Sequence, residues 1–317
     1  PPRPPLKQRA ETGKALRADA SPEGAWFLQR GGSAPRRRTP RPTLKHRAET
    51  KNRSMTLLRT RVLSAAILLP IVAVVVYLGG LWLFALMAAA LSLAAWEFRG
   101  MMRKGGFRPE FPCLYLPLAA LLALAQGRWD AYLPLALTAL FILTLSWQLL
   151  LPGRTTPTAD WALALGMGLY LGWMGGHFLR IRALDNGLAW AAIALVTTWI
   201  SDSGAYFVGT WLGRHKLAPR LSPKKTWEGI VGGWLTAEVA GVLLGRLVGL
   251  TVAQGLAIGL AVAVLAPFGD LSISMMKRQV GVKDSGNLIP GHGGMLDRLD
   301  SLLFVVPAIY YFATWFR

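Results

Sequence analysis

Charge is scarce in this sequence, histidine is rare and cysteine is all but missing. Only 16% of its 317 residues are Asp, Glu, Lys or Arg, against roughly 25% in an ordinary soluble domain. The chain is therefore not an ordinary soluble globule. The single cysteine, Cys113, excludes an intramolecular disulfide and a thiolate zinc cluster alike. Four histidines leave little imidazole for any chemistry. Acidic residues are also in the minority, 16 against 35 Lys and Arg.

What the chain has instead is apolar length. Hydrophobic residues make up 53% of it and are grouped into blocks such as "VLSAAILLPIVAVVVYL" from Val62 and "LWLFALMAAALSLAAW" from Leu81. Runs of about 17–25 apolar residues can cross a hydrocarbon core roughly 30 Å thick. Nine such blocks can be drawn, at about 62–79, 81–98, 111–126, 131–151, 161–179, 188–207, 229–247, 252–269 and 301–316. An open sheet edge cannot be satisfied in lipid, so each block is expected to be a helix. The fold class that follows is all-α, a polytopic transmembrane bundle of about nine spans.

Basic residues give it a direction, because they accumulate on the cytoplasmic side. Arg99, Arg103, Lys104 and Arg108 follow the second block, and Arg154 follows the fourth. Arg214, Lys216, Arg220, Lys224 and Lys225 follow the sixth, and Lys277, Arg278, Lys283 and Arg298 follow the eighth. With nine spans all of these share one face, which places the N-terminus inside and the C-terminus outside. Arg180 and Arg182 are exceptions, and Arg246 lies near the outer face too.

Residues 1–54 hold 14 Lys and Arg against 4 Asp and Glu. They are rich in proline and arginine and lack helical periodicity, so disorder is expected rather than nucleic-acid binding. "MTLLRTRVLSAAILLP" from Met55 reads as a natural beginning, with 1–54 an upstream extension and 55–317 the membrane-embedded domain. Small residues four apart, Gly168 and Gly172 or Gly241, Gly245 and Gly249, let helices approach closely. Internal packing is the expected use; a homodimer is left open.

Polar groups inside apolar spans are expensive and mark candidate sites. The sixth block ends "VTTWISDSGAYFVGTWLGRHKLAPRLSPKKTWEG", where Asp202 interrupts the helix and Ser222, Lys224 and Lys225 suit a polyphosphate. The eighth block is followed by "SMMKRQVGVKDSGNLIPGHGGMLDRLD", with Asp270 just before it. Carboxylates mixed with Lys and Arg suit metal-assisted phosphoryl chemistry, since Mg²⁺ takes oxygen ligands and shares them with substrate phosphates. Gly291, Gly293 and Gly294 leave backbone amides open to an anion.

The order of those residues is more specific than their types. From Ser274 to Asp300 the chain reads S-x-x-K-R-x4-K-D-x-G-x2-I-x-G-H-G-G-x-x-D-R-x-D. This resembles, position by position, the signature of the phosphatidate cytidylyltransferase family, also called CDP-diacylglycerol synthases. The upstream stretch around "SPKKTWEG" and the lead after Met55 resemble that family as well, so the likeness covers about 55–317.

The resemblance implies transfer of CMP from CTP to phosphatidate, giving CDP-diacylglycerol and pyrophosphate, at the cytoplasmic edge of a bacterial inner membrane. It implies a Mg²⁺ ion on Asp270 and Asp297, with Asp300 and Asp202 as secondary candidates and a second cation left open. Lys277, Arg278, Lys283 and Arg298 would hold phosphates, and Lys224 and Lys225 would close over the triphosphate. His292 either orders the glycine turn or touches phosphate. A transporter would show internal repeats, and none stands out. A CDP-alcohol phosphotransferase would need the motif D-G-x2-A-R followed by two further aspartates, which is absent.

Overall fold

The computed structural model describes residue 64 and residues 66–288 and 293–315. The proposed extension 1–54, residues 55–63 of the lead from Met55 and His292 lie outside the described residues.

Among the described residues there are nine helices, one at each apolar block. They are α1 (Ala66–Leu78), α2 (Gly80–Lys104), α3 (Phe111–Gly127), α4 (Leu133–Leu149) and α5 (Pro157–Arg182), followed by α6 (Gly187–Trp211), α7 (Trp227–Leu247), α8 (Val252–Gln279) and α9 (Leu296–Trp315). Six segments are long and apolar enough to cross a membrane: α2, α5, α6, α7, α8, and α4 taken with the 3-10 turn at Asp130–Tyr132. The chain is a predominantly helical, multi-pass membrane protein. Apolar side chains such as Leu235, Val239 and Leu243 on α7 are exposed, a surface suited to lipid and out of place in water.

Two differences from the sequence reading matter for the site. A short antiparallel hairpin joins α6 to α7, with β1 at Lys216–Ala218 and β2 at Ser222–Thr226, so Lys224 and Lys225 stand on a strand rather than in a loop. Thr226 ends β2 and caps α7, its hydroxyl accepting from the Gly229 N–H at 3.2 Å. Some polar residues past the eighth block are helical too. α8 runs unbroken through Asp270, Lys277 and Arg278, and α9 begins at Leu296 and carries Arg298. At about 1.5 Å per residue, the 28 residues of α8 exceed a hydrocarbon core of roughly 30 Å. Its last turns can therefore carry polar sequence beyond the lipid.

α6, α7, α8 and α9 pack in succession, and α5 packs on α3 and α9. Small residues set the spacing. A Cβ on Gly168 would meet the Leu114 carbonyl oxygen at 2.3 Å, and one on Gly241 would meet that of Gly255 at 2.5 Å. Both are contacts within the bundle, as expected of internal packing. Gly249 has no such contact and occupies a turn at φ +84°.

Candidate active site

A cavity of about 380 Å³ opens among the polar ends of four helices and the hairpin. α6 contributes Ser201, Asp202 and Tyr206; β2 contributes Lys224, Lys225 and Thr226; α7 contributes Gly229 and Gly233. α8 adds Ala263, Pro267 and Asp270, and α9 adds Asp297, Arg298, Asp300 and Ser301.

Local sequence explains why these walls meet. α7 presents Gly229, Gly232 and Gly233 to α6, and a Cβ at Gly232 would meet Val208 at 2.4 Å. On the other side, a Cβ at Gly269 would meet the Asp300 carbonyl oxygen at 2.3 Å. That close crossing puts Asp270 and Asp300 on adjoining walls. Pro267 cannot donate to the carbonyl of Ala263 four residues earlier, and both residues line the cavity.

The charges fall into two groups. In the first, Asp202, Asp270 and Asp300 stand within Coulombic reach of one another. Asp270 also receives the Lys225 ammonium at 2.7 Å and the Ser274 hydroxyl at 3.1 Å. Asp300 accepts from the Ser301 N–H at 2.7 Å. Lys224 and Arg298 have no side-chain hydrogen-bond partner among the described residues, although Arg298 lies within Coulombic reach of Asp202.

In the second group the charges are paired with each other and with the backbone. Lys277 donates to Asp297 Oδ1 at 2.6 Å, and both side chains are 9% exposed. Asp297 Oδ2 accepts from the backbone N–H of Ser285 at 3.0 Å and of Gly294 at 3.2 Å, with the Ser285 hydroxyl also at 3.0 Å. Asp297 thus lines the cavity while pinning the chain that leads into α9.

Several residues singled out in the sequence sit elsewhere. The Arg278 guanidinium donates to the carbonyls of Leu221 at 3.0 Å and Val282 at 2.7 Å, tying the hairpin to the end of α8. Lys283 is exposed, and Ser222, Gly293 and Gly294 do not line the cavity. Two residues the sequence reading passed over are Ser285, described above, and Glu97 of α2. Glu97 accepts from Ser285 Oγ and from the Leu296 N–H, each at 3.0 Å. The signal that could have found it is an isolated acid in an apolar block.

Among the described residues no group of three or more His, Cys, Asp or Glu is close enough to hold a metal ion alone. Mg²⁺ does not demand such a cage: it binds through one or two carboxylates, keeps waters and takes the rest from substrate phosphates. Asp270, with Asp202 and Asp300 as charged neighbours in one cavity, fits that oxygen-donor pattern. Asp297 fits it less well, since Lys277, Ser285 and Gly294 already occupy its oxygens.

The model of the cytidylyltransferase family matches residues 59–316. The chain belongs to that family. Among relatives, the phosphatidate cytidylyltransferase of Pseudomonas aeruginosa is 38% identical over 283 residues, covering 82% of this chain and 99% of that protein. That of Thermotoga maritima is 35% identical over 264 residues, 80% of this chain and 95% of the other. That of Synechocystis is 34% identical over 289 residues, again 80% and 95%. The matched region of this cytidylyltransferase-family chain includes every wall of the cavity.

Proposed function

We propose that this chain transfers CMP from CTP to phosphatidate, forming CDP-diacylglycerol and releasing pyrophosphate. One observation carries the reading: four carboxylates, Asp202, Asp270, Asp297 and Asp300, and the cations Lys224, Lys225 and Arg298 line a single cavity within a bundle of membrane-length helices. A lipid phosphate and a nucleoside triphosphate are the pair of substrates such a place suits. Family membership supports it, as does the likeness to phosphatidate cytidylyltransferases.

In this reaction a phosphate oxygen of the lipid attacks the α-phosphorus of CTP. A new P–O bond forms to the lipid while the bond to the bridging oxygen breaks, and pyrophosphate leaves with that electron pair. The attacking oxygen is already ionised at neutral pH, so no strong general base is needed. Lys224 and Arg298 hold phosphate oxygens, and Lys225 divides its charge between Asp270 and the incoming triphosphate. Asp270, with Asp202 and Asp300 beside it, would hold Mg²⁺, which would supply positive charge where negative charge accumulates. Lys277 and Asp297 keep the start of α9 in place, and Arg278 does the same for the hairpin.

We place the cavity at the cytoplasmic face of a bacterial plasma membrane, with nine crossings. Arg103, Lys104, Arg154, Lys216 and Lys283 all belong to the helix ends and connections on the cavity side, and such residues are retained inside. CTP then arrives from the cytoplasm and phosphatidate from the bilayer.

Detergent-purified protein supplied with labelled CTP, Mg²⁺ and phosphatidate should yield a labelled, solvent-extractable lipid together with pyrophosphate. No labelled lipid under those conditions refutes the activity. A reporter after residue 317 should read as external and one near Lys216 as cytoplasmic; the same side for both refutes nine crossings.

A further inference from the structure

Glu97 stands in the run "AAWEFRG" of α2, far along the chain from the site and outside every motif considered above. It is 5% exposed. Burying a carboxylate is expensive unless hydrogen bonds compensate it, and its compensation comes from one place. Glu97 Oε2 accepts from the Leu296 N–H and from Ser285 Oγ, each at 3.0 Å. Leu296 opens α9, one residue before Asp297. Ser285 Oγ is also 3.0 Å from Asp297 Oδ2, yet a hydroxyl has one hydrogen to give. Asp297 Oδ2 already has two backbone N–H donors, so Glu97 is the carboxylate that uses the hydroxyl.

Two glycines close around it. A Cβ on Gly286 would meet Glu97 Oε1 at 2.4 Å, and one on Gly294 would meet Oε2 at 2.4 Å. The backbone on either side of the turn therefore lies directly on this carboxylate.

We propose that Glu97 is a positioning residue for CMP transfer. It clamps Ser285 and Gly286 on one side, and Gly294 and Leu296 on the other, against α2. By doing so it sets the start of α9, on which Asp297, Arg298 and Asp300 are carried. The proposal rests on the function given above.

The test is steady-state kinetics normalised to the amount of folded protein, with amide hydrogen exchange measured in detergent. Glu97→Ala should lower kcat about ten- to a hundredfold, the range expected when buried N–H and O–H donors lose their acceptor. The KM for CTP should change less, by about threefold, because Lys224 and Lys225 on the hairpin are untouched and Arg298, though shifted with α9, is retained. Glu97→Gln should recover most of the turnover: both bonds fall on Oε2, and an amide oxygen in its place can accept from the Leu296 N–H and the Ser285 hydroxyl alike.

Gly286→Ala, which pushes on the same carboxylate from the turn, should lower kcat in the otherwise unmodified protein. It should do nothing further in Glu97→Ala, where its methyl has room. A merely structural Glu97 would reduce the yield of folded protein and leave kcat per folded molecule unchanged. That result, or additive effects of Gly286→Ala and Glu97→Ala, overturns the proposal.

Exchange at the Ser285 and Leu296 amides should be faster in Glu97→Ala while α7 is unchanged. This last measurement needs no substrate. If the unmodified protein makes no labelled lipid, the functional reading fails; unchanged exchange at those amides defeats the clamp whatever the activity.

Discussion

The two ends of the helix bundle use charge in opposite ways. At the end away from the cavity, arginines are spent on the backbone. Arg182 donates to the carbonyls of Val76 and Tyr77, both at 2.8 Å, and Arg128 donates to that of Ala183 at 2.8 Å. Carbonyls in a helix's last turn have no donor within the helix, and these side chains supply one. Arg180 pairs with Asp130 at 2.6 Å and lies 5.0 Å from the Trp173 ring centre. At the cavity end, Lys224 and Arg298 lack side-chain hydrogen-bond partners among the described residues, and three carboxylates share a small space. A charge with its bonds made is a tie; charges assembled around open space are kept for a ligand.

With the cavity at the cytoplasmic face, as proposed, the contrast also accounts for Arg180 and Arg182 standing apart from the inside bias of basic residues. Each has a specific structural partner that outweighs a general preference.

The largest effect should come from removing charge at the cavity end. Asp270→Asn keeps shape and loses one charge, so turnover in the labelled-lipid assay should fall at least about a hundredfold, with the thermal unfolding midpoint little changed. Near-normal turnover at saturating Mg²⁺ and CTP would break the comparison.

Asp297→Asn separates the two uses of charge within the cavity itself. It should lose turnover to a similar degree and also lose stability by about 3 kcal/mol, because Lys277 is left buried without its counter-charge. Unfolding in detergent checks this: a variant as stable as the original would show that Asp297 is no tie.

Smaller changes are expected from the unpartnered cations. Lys224→Ala and Arg298→Ala should each raise the KM for CTP about tenfold, or about 1.4 kcal/mol of binding, without loss of stability. An unaltered KM in both would deny them contact with the triphosphate.

The smallest effect on catalysis should come from the far end. Arg182→Ala should destabilise by about 1 kcal/mol and leave kcat within about twofold. Asp284→Asn, exposed beside the site, should do neither. A large drop in turnover from Arg182→Ala would mean that the two ends are not independent.

Much of the fold was legible because it depends on local chemistry. Every apolar block became a helix, since lipid leaves the backbone no other way to satisfy its own hydrogen bonds. The boundaries were less legible. Asp270 seemed to close a span, yet α8 continues to Gln279, because helical hydrogen bonding does not stop where apolar residues do. At the site, the sequence brought forward the charged residues that line the cavity, but also Ser222, Lys277, Arg278, Lys283, Gly293 and Gly294, which do not line it. A cation's type and neighbours in sequence cannot say whether a carbonyl will claim it, as those of Leu221 and Val282 claim Arg278.

By itself, then, the sequence determined a multi-pass helical chain, its membership of a cytidylyltransferase family and the residue types gathered near its polar ends. Those follow from composition, from apolar length and from an ordered motif, all readable along the chain. The tertiary structure alone decided which charges are paired and which remain open. Lys277 meets Asp297 twenty residues away, and Ser285 meets Glu97 across 188. Hydrogen bonds act over about 3 Å, so only the packing of α2, α8 and α9 could decide which distant groups come within that reach.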